Sequence, residues 1–359
     1  MVVYCSLVSI LCWSAVTTVV CGLTAHMGVS LYPHRSRLRI GYTRKPVRKG
    51  ASIVTSMGSN HWEDEPYSFN GTVSILDRGA NHVVVSKPPG VICHRSDWSG
   101  SGKRKLSNVT GTPEVPMLQR AREAVGERVN LIHRLDRGAS GCLLMSLAKS
   151  DTDGGNVTAT LQESMSLSSS THKTYIALVR GEGIVKGRDF RQEGWFEITR
   201  PIKNEAGKIQ NATSYFRFIA GQGNENGTRD DQPRASLVLA RIKTGRWHQI
   251  RKHLNGLSHP IIGDSTHGNS KTNREWKKKW GLQSERTCLH LLKLELPPNP
   301  VTPTGISVID ALPQDMTDML QKYFLPGFLN DAEKALNEEG LRLTPENNLD
   351  IVAVNFVIS

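Results

Sequence analysis

Residues 133–141 read HRLDRGASG and are the sharpest chemical feature of this 359-residue chain. Asp136 lies between Arg134 and Arg137, and two glycines follow within five positions, which indicates a tight backbone turn. Positive charges beside a carboxylate favour its ionised form, and an ionised, positioned carboxylate can act as a nucleophile or a base. Spacing alone does not establish that role, because an ordinary loop aspartate in a surface salt bridge explains the same pattern better.

A second cluster, KTGRWHQIRKH, occupies residues 243–253. Its basic and imidazole side chains near Trp247 include Arg246, His248, Arg251 and Lys252. Cations mixed with an aromatic ring suit RNA, whose phosphates bind cations and whose unstacked bases stack on planar groups. A solvated helix face beside a core tryptophan accounts for these residues equally well.

Tyr175 belongs to residues 173–180 (KTYIALVR), whose composition predicts a strand. A tyrosine in such a strand is more often part of the core than a functional residue. It gains a role in chemistry only if the fold places it beside Asp136.

Strand-like segments outnumber helical ones from about Asn70 onward. Residues 82–87 (HVVVSK) are rich in β-branched side chains and end at Pro-Pro-Gly, as a strand stopped by a turn does. Further strands are predicted at 173–180, 194–200, 213–220, 235–243 and 289–296, helices at 117–125 and 248–256, and polar surface loops at 150–156 and 221–234. This arrangement predicts an α+β fold with a mixed, mainly antiparallel central sheet flanked by helices and loops.

The composition favours a polyanionic partner and gives no sign of a cofactor. The formal net charge is +12, from 45 Lys plus Arg against 33 Asp plus Glu, and phosphate neutralisation is the usual use of a basic surface. The six cysteines form no C-x-x-C pair, and the chain contains no P-loop, dinucleotide fingerprint, H-E-x-x-H motif or serine nucleophile elbow. We therefore expect chemistry from an isolated carboxylate, with no metal and no small-molecule cofactor.

The first 68 residues are predicted to be a targeting leader or disordered basic segment. Residues 2–23 are uncharged and largely apolar, and the acid-free stretch after them carries seven of the Lys and Arg residues. This pattern predicts delivery to a plastid or mitochondrion, with membrane contact only through the leader; a start of translation at Met27 or Met57 is the alternative, and the protein is then cytoplasmic. We expect a catalytic domain at 69–325 and a C-terminal tail with one short helix at 326–359.

Six stretches resemble the motifs of the RluA family of pseudouridine synthases, in the family's order and across about residues 72–300. They are VVVSKPPGVICH (83–94), HRLDRGASG (133–141), KTYIALVRG (173–181), TGRWHQIRKHL (244–254), HPIIGD (259–264) and LHLLKLELP (289–297). Within the family, HRS at 94–96, the run HPIIGDSTHG and Asn273-Arg274 are most similar to the TruC type, which modifies tRNA. The resemblance implies the pseudouridine synthase fold.

The resemblance also implies roles for individual residues. Asp136 matches the catalytic aspartate, Tyr175 the tyrosine that stacks under the uracil, and Arg251 the arginine that pairs with the aspartate. The expected substrate-binding residues are His133, Arg134 (which helps to displace the target base), Arg246, His248, Lys252 and Leu289 (which lines the uracil pocket). Ala139 stands where the family usually has threonine, which puts the local loop geometry in doubt.

The function implied is isomerisation of uridine to pseudouridine in structured RNA by a monomeric enzyme. tRNA, with a target of the uridine 65 type, is the expected substrate. Two alternatives remain: an rRNA-modifying RluA-type synthase, and a non-catalytic RNA-binding or assembly factor on the same scaffold.

Overall fold

The computed structural model describes residues 72–95, 114–147, 153–167, 171–223, 232–344 and 350–353, with side chains described up to Leu341 except at 153–155 and 167. The predicted leader lies outside these residues. The strands are β1 (Ile75–Arg78), β2 (His82–Lys87), β3 (Val129–Leu131), β4 (Ser140–Leu147), β5 (His172–Arg180), β6 (Ile184–Val185), β7 (Arg188–Asp189), β8 (Phe196–Thr199), β9 (Ile202–Lys203), β10 (Ile209–Gln210), β11 (Thr213–Gln222), β12 (Ala235–Ile242), β13 (Leu289–Leu296), β14 (Ile306–Ile309), β15 (Leu341–Thr344) and β16 (Asp350–Ala353). The helices are α1 (Met117–Val125), α2 (Asp153–Leu167), α3 (Gln249–Gly256), α4 (Ser270–Lys279), α5 (Gln314–Tyr323) and α6 (Pro326–Glu338), with a 3₁₀ turn at Phe190–Gln192.

Ten of these strands form one sheet in the order β1-β2-β4-β13-β5-β12-β11-β8, with β3 paired to β4 and β14 paired to β13. Every pairing is antiparallel except that of β13 with β4, which is parallel. All eight residues of β4 are buried, as expected of a central strand covered on both faces. The predicted α+β fold with a mixed, mainly antiparallel sheet is confirmed.

The parallel junction of β4 and β13 depends on Gly141. Gly141 pairs with Leu291 and has φ +120°, and a Cβ atom at this position would lie 2.4 Å from the backbone nitrogen of Leu291. Only glycine permits such a close approach of the two strands. The last residue of HRLDRGASG therefore fixes the preceding loop against the centre of the sheet.

Helix α6 packs into the same hydrophobic core as the sheet. Its buried side chains are Phe328, Ala332 and Leu336. Glu339, just beyond the helix, accepts hydrogen bonds from Arg217 on β11 (2.6 Å) and from the Trp195 indole (2.6 Å). The segment predicted as a tail thus contains a helix of 13 residues whose apolar side is covered.

The elements predicted from sequence agree with the structure except at the loop 150–156, and several further elements were not predicted. The strand at 82–87, the helix at 117–125 and the strand at 289–296 have the predicted bounds, and the other predicted strands differ by two residues or fewer at each end. The loop predicted at 150–156 is wrong in part, because α2 begins at Asp153. The two glycines that follow Asp153 hid this helix start, since glycine is typical of loops. The sequence analysis also did not predict helices α4 and α5, or strands β1, β3, β4 and β14 of the central sheet.

None of the helices among the described residues is both long and apolar enough to cross a membrane.

Candidate active site

Asp136 lies in the loop that leads from β3 into β4, and the buried Lys87 side chain holds this loop. The Lys87 ammonium donates to the carbonyls of Pro88 (2.8 Å), Arg137 (3.1 Å) and Ala139 (2.7 Å). Burial lowers the pKa of Lys87 to about 8. This lysine therefore joins the end of β2 to the loop that carries Asp136. Its acceptors are backbone carbonyls, so the contact does not depend on the side chains of the loop.

The loop closes although Ala139 lacks the expected hydroxyl. The Ala139 N–H donates to the carbonyl of Asp136 (3.1 Å), and the Thr287 N–H donates to the carbonyl of Gly138 (2.9 Å). Backbone hydrogen bonds, rather than a threonine side chain, thus set the geometry that the alanine had put in doubt.

Arg251 on α3 connects Asp136 to a second carboxylate. Its Nη1 donates to Asp136 Oδ2 (2.8 Å), while Nε and Nη2 donate to Asp264 Oδ2 and Oδ1, both at 2.7 Å. The Arg251 side chain is 6% exposed and that of Asp264 is 1% exposed, whereas that of Asp136 is 33% exposed. A guanidinium whose Nε–Nη2 edge is held by a bidentate carboxylate can point its remaining nitrogen in only one direction. Arg251 is therefore fixed toward Asp136.

Asp264 is itself held in its charged form. It accepts the backbone N–H groups of Thr266 (2.9 Å) and His267 (2.8 Å). Burial alone would raise the pKa of Asp264, but the hydrogen bonds and charge of Arg251 outweigh this effect, and the net pKa is lowered. Asp264 thus remains an anion that anchors Arg251.

A histidine pair lies on the other side of the same Asp136 oxygen. His248 Nε2 is 3.7 Å from Asp136 Oδ2, and His248 Nδ1 is 3.0 Å from His267 Nε2. The His248 ring stacks on Trp247, with ring centroids 4.1 Å apart, and its backbone adopts the left-handed conformation (φ 53°) at the start of α3. Burial lowers the pKa of His248 to about 4 despite the nearby Asp136 charge, so the ring is neutral at pH 7.

Asp136, Tyr175 and Leu289 line one cavity of about 840 Å³, called here the active-site cavity. Tyr175 on β5 pairs with Leu291 of β13, so Tyr175 and Leu289 lie diagonally across the two strands on one face of the sheet. Tyr175 is 7% exposed, and burial raises its pKa. The phenol is therefore neutral, with its ring part of the cavity wall.

Of the other expected substrate-binding residues, four line the active-site cavity and Lys252 does not. Arg134, Arg246 and His248 line the active-site cavity, and the two arginines are exposed. His133 also lines it, but its Nε2 accepts the Leu144 N–H (3.2 Å), and burial lowers the pKa of His133 to about 3. This ring therefore has a structural role in tying the loop to β4.

Lys252 does not line the active-site cavity. Its ammonium donates to the carbonyl of Lys203 (2.6 Å) and lies 3.9 Å from the centroid of the Trp247 ring. In this arrangement it supports the tryptophan on which His248 stacks.

Sequence reasoning missed three residues of the site: Lys87, Asp264 and His267. Lys87 could have been noticed as a lysine at the end of a continuous apolar strand, where an unpaired cation is costly. Asp264 and His267 belong to an irregular turn, and no periodic pattern indicates which side chains of a turn point inward. Within the ranges that the structure describes, no group of three or more His, Cys, Asp or Glu could hold a metal ion.

Known proteins of one family are similar to this chain over most of its described length. The family model for RNA pseudouridylate synthases matches residues 81–256. tRNA pseudouridine synthase C of Salmonella typhi is 32% identical over 262 residues, covering 70% of this chain and 90% of that protein. The enzyme of the same name from Yersinia pestis is 29% identical over 268 residues, covering 73% and 95%.

Among solved structures, human RNA pseudouridylate synthase domain containing 4 matches with a TM-score of 0.46 at 20% identity, covering 69% of this chain and 92% of that one. The two bacterial enzymes support the resemblance seen in the sequence, over 90% and 95% of their own lengths. This chain belongs to the RNA pseudouridylate synthase family, in its RluA-type branch, and is an isomerase that acts on RNA.

Proposed function

We propose that the enzyme converts uridine to pseudouridine in tRNA, at a target of the uridine 65 type. We choose tRNA as the substrate because the chain is 32% identical to tRNA pseudouridine synthase C over 90% of that protein. The HPIIGDSTHG run, in which His267 contacts His248, belongs to the stretches that resemble this type.

Asp136 is proposed as the catalytic residue because its carboxylate has one held oxygen and one open oxygen. Arg251 and His248 both approach Oδ2. In the part of the chain that the structure describes, no donor makes a hydrogen bond to Oδ1, and the side chain is one-third exposed to the active-site cavity. Oδ1 is therefore the atom available to the nucleoside sugar.

The reaction at this site must be an isomerisation in which no atom is gained or lost. The C1′–N1 bond of uridine breaks, the uracil turns, C1′ bonds to C5, and the proton lost from C5 is replaced by one on N1. Asp136 serves either as a nucleophile toward the sugar or as the base that removes a sugar proton. Both routes use an ionised carboxylate, and the hydrogen bond from Arg251 holds that of Asp136 in place.

The target base must leave its helix before it reaches this carboxylate, at a cost of a few kcal/mol. Stacking of the uracil on Tyr175 offsets part of this cost, by about 1–3 kcal/mol. Leu289 supplies an apolar contact on the same face of the sheet. Arg134 and Arg246, exposed on the lining of the cavity, are proposed to bind the displaced strand.

Mapping of pseudouridine in tRNA and rRNA, from cells with and without the protein, tests the assignment. We expect one tRNA pseudouridine to disappear and to return when the wild-type protein is restored, whereas the Asp136→Asn protein should not restore it. A loss confined to rRNA contradicts the tRNA assignment. An unchanged map in both RNA classes supports the non-catalytic alternative.

We also propose that the enzyme is a monomer and that residues 1–68 deliver it to a plastid or mitochondrion. The support for delivery is the apolar stretch followed by seven basic residues without an acid. A fluorescent protein fused after residue 68 should enter the organelle, and the same fusion without residues 1–68 should stay in the cytoplasm. Cytoplasmic fluorescence of both fusions would contradict the proposal. Light scattering of the purified protein tests the monomer.

A further inference from the structure

A second cavity, of about 540 Å³, adjoins the active-site cavity and is called here the α4 cavity. The two cavities share Asp136, Arg137, His248 and Arg251. The α4 cavity is lined in addition by the turn after Ile262 and by one face of α4. It is therefore open to whatever part of the substrate continues beyond the nucleoside at Asp136.

Helix α4 presents a single stripe of side chains to this cavity. The lining residues are Ser270, Asn273, Arg274 and Lys277, at spacings of three, four and seven that place them on one helix face. Lys271 and Lys278 belong to the same helix and are exposed, but they do not line the cavity.

The α4 helix is fixed to the turn that carries Asp264. The Asn273 amide donates to the Asp264 carbonyl (2.9 Å) and accepts the Gly263 N–H (3.0 Å). Trp276 is buried in the core. These contacts fix the position of the α4 backbone, which carries Arg274 and Lys277, relative to the turn of Asp264 and so to Asp136.

The other cationic side chains that line the cavity each have a carboxylate partner, unlike the two on α4. Arg137 pairs with Glu114 and Glu285, and Arg251 pairs with the two aspartates described above. The buried Arg286 is 3.0 Å from Asp315. Arg274 and Lys277 have no ion-pair partner among the described residues and are exposed to solvent. Arg274 and Lys277 are therefore the two cations of its lining that no carboxylate of the described residues pairs with.

We propose that the α4 cavity binds a backbone phosphate attached to the target nucleotide, with Arg274 and Lys277 as its cationic partners. This proposal rests on the proposed function, because a uridine whose sugar lies at Asp136 carries a phosphate on each side. One of these phosphates enters the active-site cavity with the displaced base, and the other extends into the adjoining cavity. Two cations converging on one anion would hold the strand in register while the base turns.

A comparison of two doubly substituted proteins tests whether the position of the charge matters. Binding to transcribed tRNA is measured as a function of salt for Arg274→Ala/Lys277→Ala and for the control Lys271→Ala/Lys278→Ala, which removes the same charge from the same helix. We expect the first variant to bind roughly tenfold more weakly and to reduce the slope of log Kd against log salt by about 1. The control should change the slope by less than half as much.

Equal changes of slope in the two variants would overturn the proposal, because the effect would then be one of general charge. The exchanged pair Arg274→Lys/Lys277→Arg should return the slope close to its wild-type value. All substituted positions are exposed, and thermal unfolding of each variant confirms that the comparison is between folded proteins.

A neutral methylphosphonate, placed at the phosphate on either side of the target uridine in a synthetic RNA arm of the tRNA, locates the contact. One of the two replacements should weaken binding to the wild type and to the control roughly tenfold. The same replacement should have little further effect on Arg274→Ala/Lys277→Ala, because the partner is already absent. Independent, additive losses would overturn the proposal.

Pseudouridine formation by the wild type on the unmodified tRNA is measured in parallel. A wild type that forms no pseudouridine in tRNA refutes the tRNA assignment. A wild type that forms pseudouridine but shows additive losses refutes the phosphate subsite alone. The two failures are therefore distinguishable.

Discussion

At the scale of single residues, Tyr175 shows why a sequence pattern left its role open. Its strand is apolar and its side chain is buried, as the core interpretation expects. The same ring nevertheless lines the cavity that contains Asp136, because β5 pairs with β13 near the point where β13 meets β4. No local pattern in residues 173–180 indicates that Tyr175 lies in the same cavity as Asp136. The position of Tyr175 depends on the pairing of β5 with β13, which are more than 100 residues apart in sequence.

The stacking role proposed for Tyr175 predicts different effects for two substitutions. Tyr175→Phe keeps the ring and should retain most of the single-turnover rate. Tyr175→Ala removes the stacking surface, worth about 1–3 kcal/mol, and should lower the rate on the order of 10- to 100-fold. Rapid-quench measurement of pseudouridine formation checks this. Equal rates for the two variants would exclude stacking as the role of the side chain.

At the scale of elements, the site depends on a clamp between α3 and the turn that follows it. Arg251 was expected to pair with Asp136 through the family resemblance, and the structure shows that contact. The second carboxylate of the clamp could not be assigned from sequence, because Asp264 is one of several polar residues in an irregular turn. Local periodicity predicts which face of a helix is buried, but it does not predict which turn side chain meets that face.

Breaking the clamp should damage both stability and catalysis. Asp264→Asn leaves the Arg251 guanidinium buried without its main counter-charge, which costs on the order of 3–5 kcal/mol when a buried pair loses one partner. We expect a lower urea midpoint, together with a kcat reduced more than tenfold as Arg251 loses its fixed direction. Glu275→Gln, an exposed acid on α4, serves as the control and should leave both quantities near wild type. Wild-type kcat in Asp264→Asn would contradict a positioning role.

Two of the missed helices illustrate the same limit. Helix α2 starts with Asp-Gly-Gly, and α4 is so rich in charge that it reads as a polar surface segment. Both are held by a few buried side chains, Leu161 and Met165 in α2 and Trp276 in α4. Tertiary packing therefore stabilises helices that local propensity and patterning do not indicate.

At the scale of the whole molecule, complete or partial burial keeps several histidines neutral. Burial lowers the pKa of both His133 and His290 to about 3, and that of His248 to about 4. The pKa of Asp310 shifts in the opposite direction, because burial raises it to about 6. Protonation of Asp310 in acid therefore stabilises the folded state. His133 accepts a hydrogen bond from the Leu144 N–H of β4, and His290 lies on β13. The sequence predicted β13 but not β4, so these surroundings could not be assigned from it.

These shifts predict a stability that falls in acid. When folding lowers the pKa of a histidine, the unfolded chain takes up the proton at a higher pH than the folded protein does. The folded state therefore has its full stability above about pH 6.5 and loses stability as the pH falls toward the pKa of the folded state. Each such histidine contributes a loss of about 1.4 kcal/mol per pH unit within that window, and Asp310 offsets one of them below pH 6. Urea unfolding should therefore give a lower free energy at pH 5 than at pH 7.5. A constant or rising value would contradict the buried neutral histidines.

The central claim, that the open oxygen of Asp136 performs the chemistry, is tested most directly by Asp136→Asn. The amide keeps the size of the side chain but has neither the charge nor the basicity of the carboxylate. We predict that RNA affinity changes by no more than a few-fold, while single-turnover formation of pseudouridine falls below detection. A variant that binds the RNA and forms pseudouridine at a rate close to that of the wild type would contradict the claim.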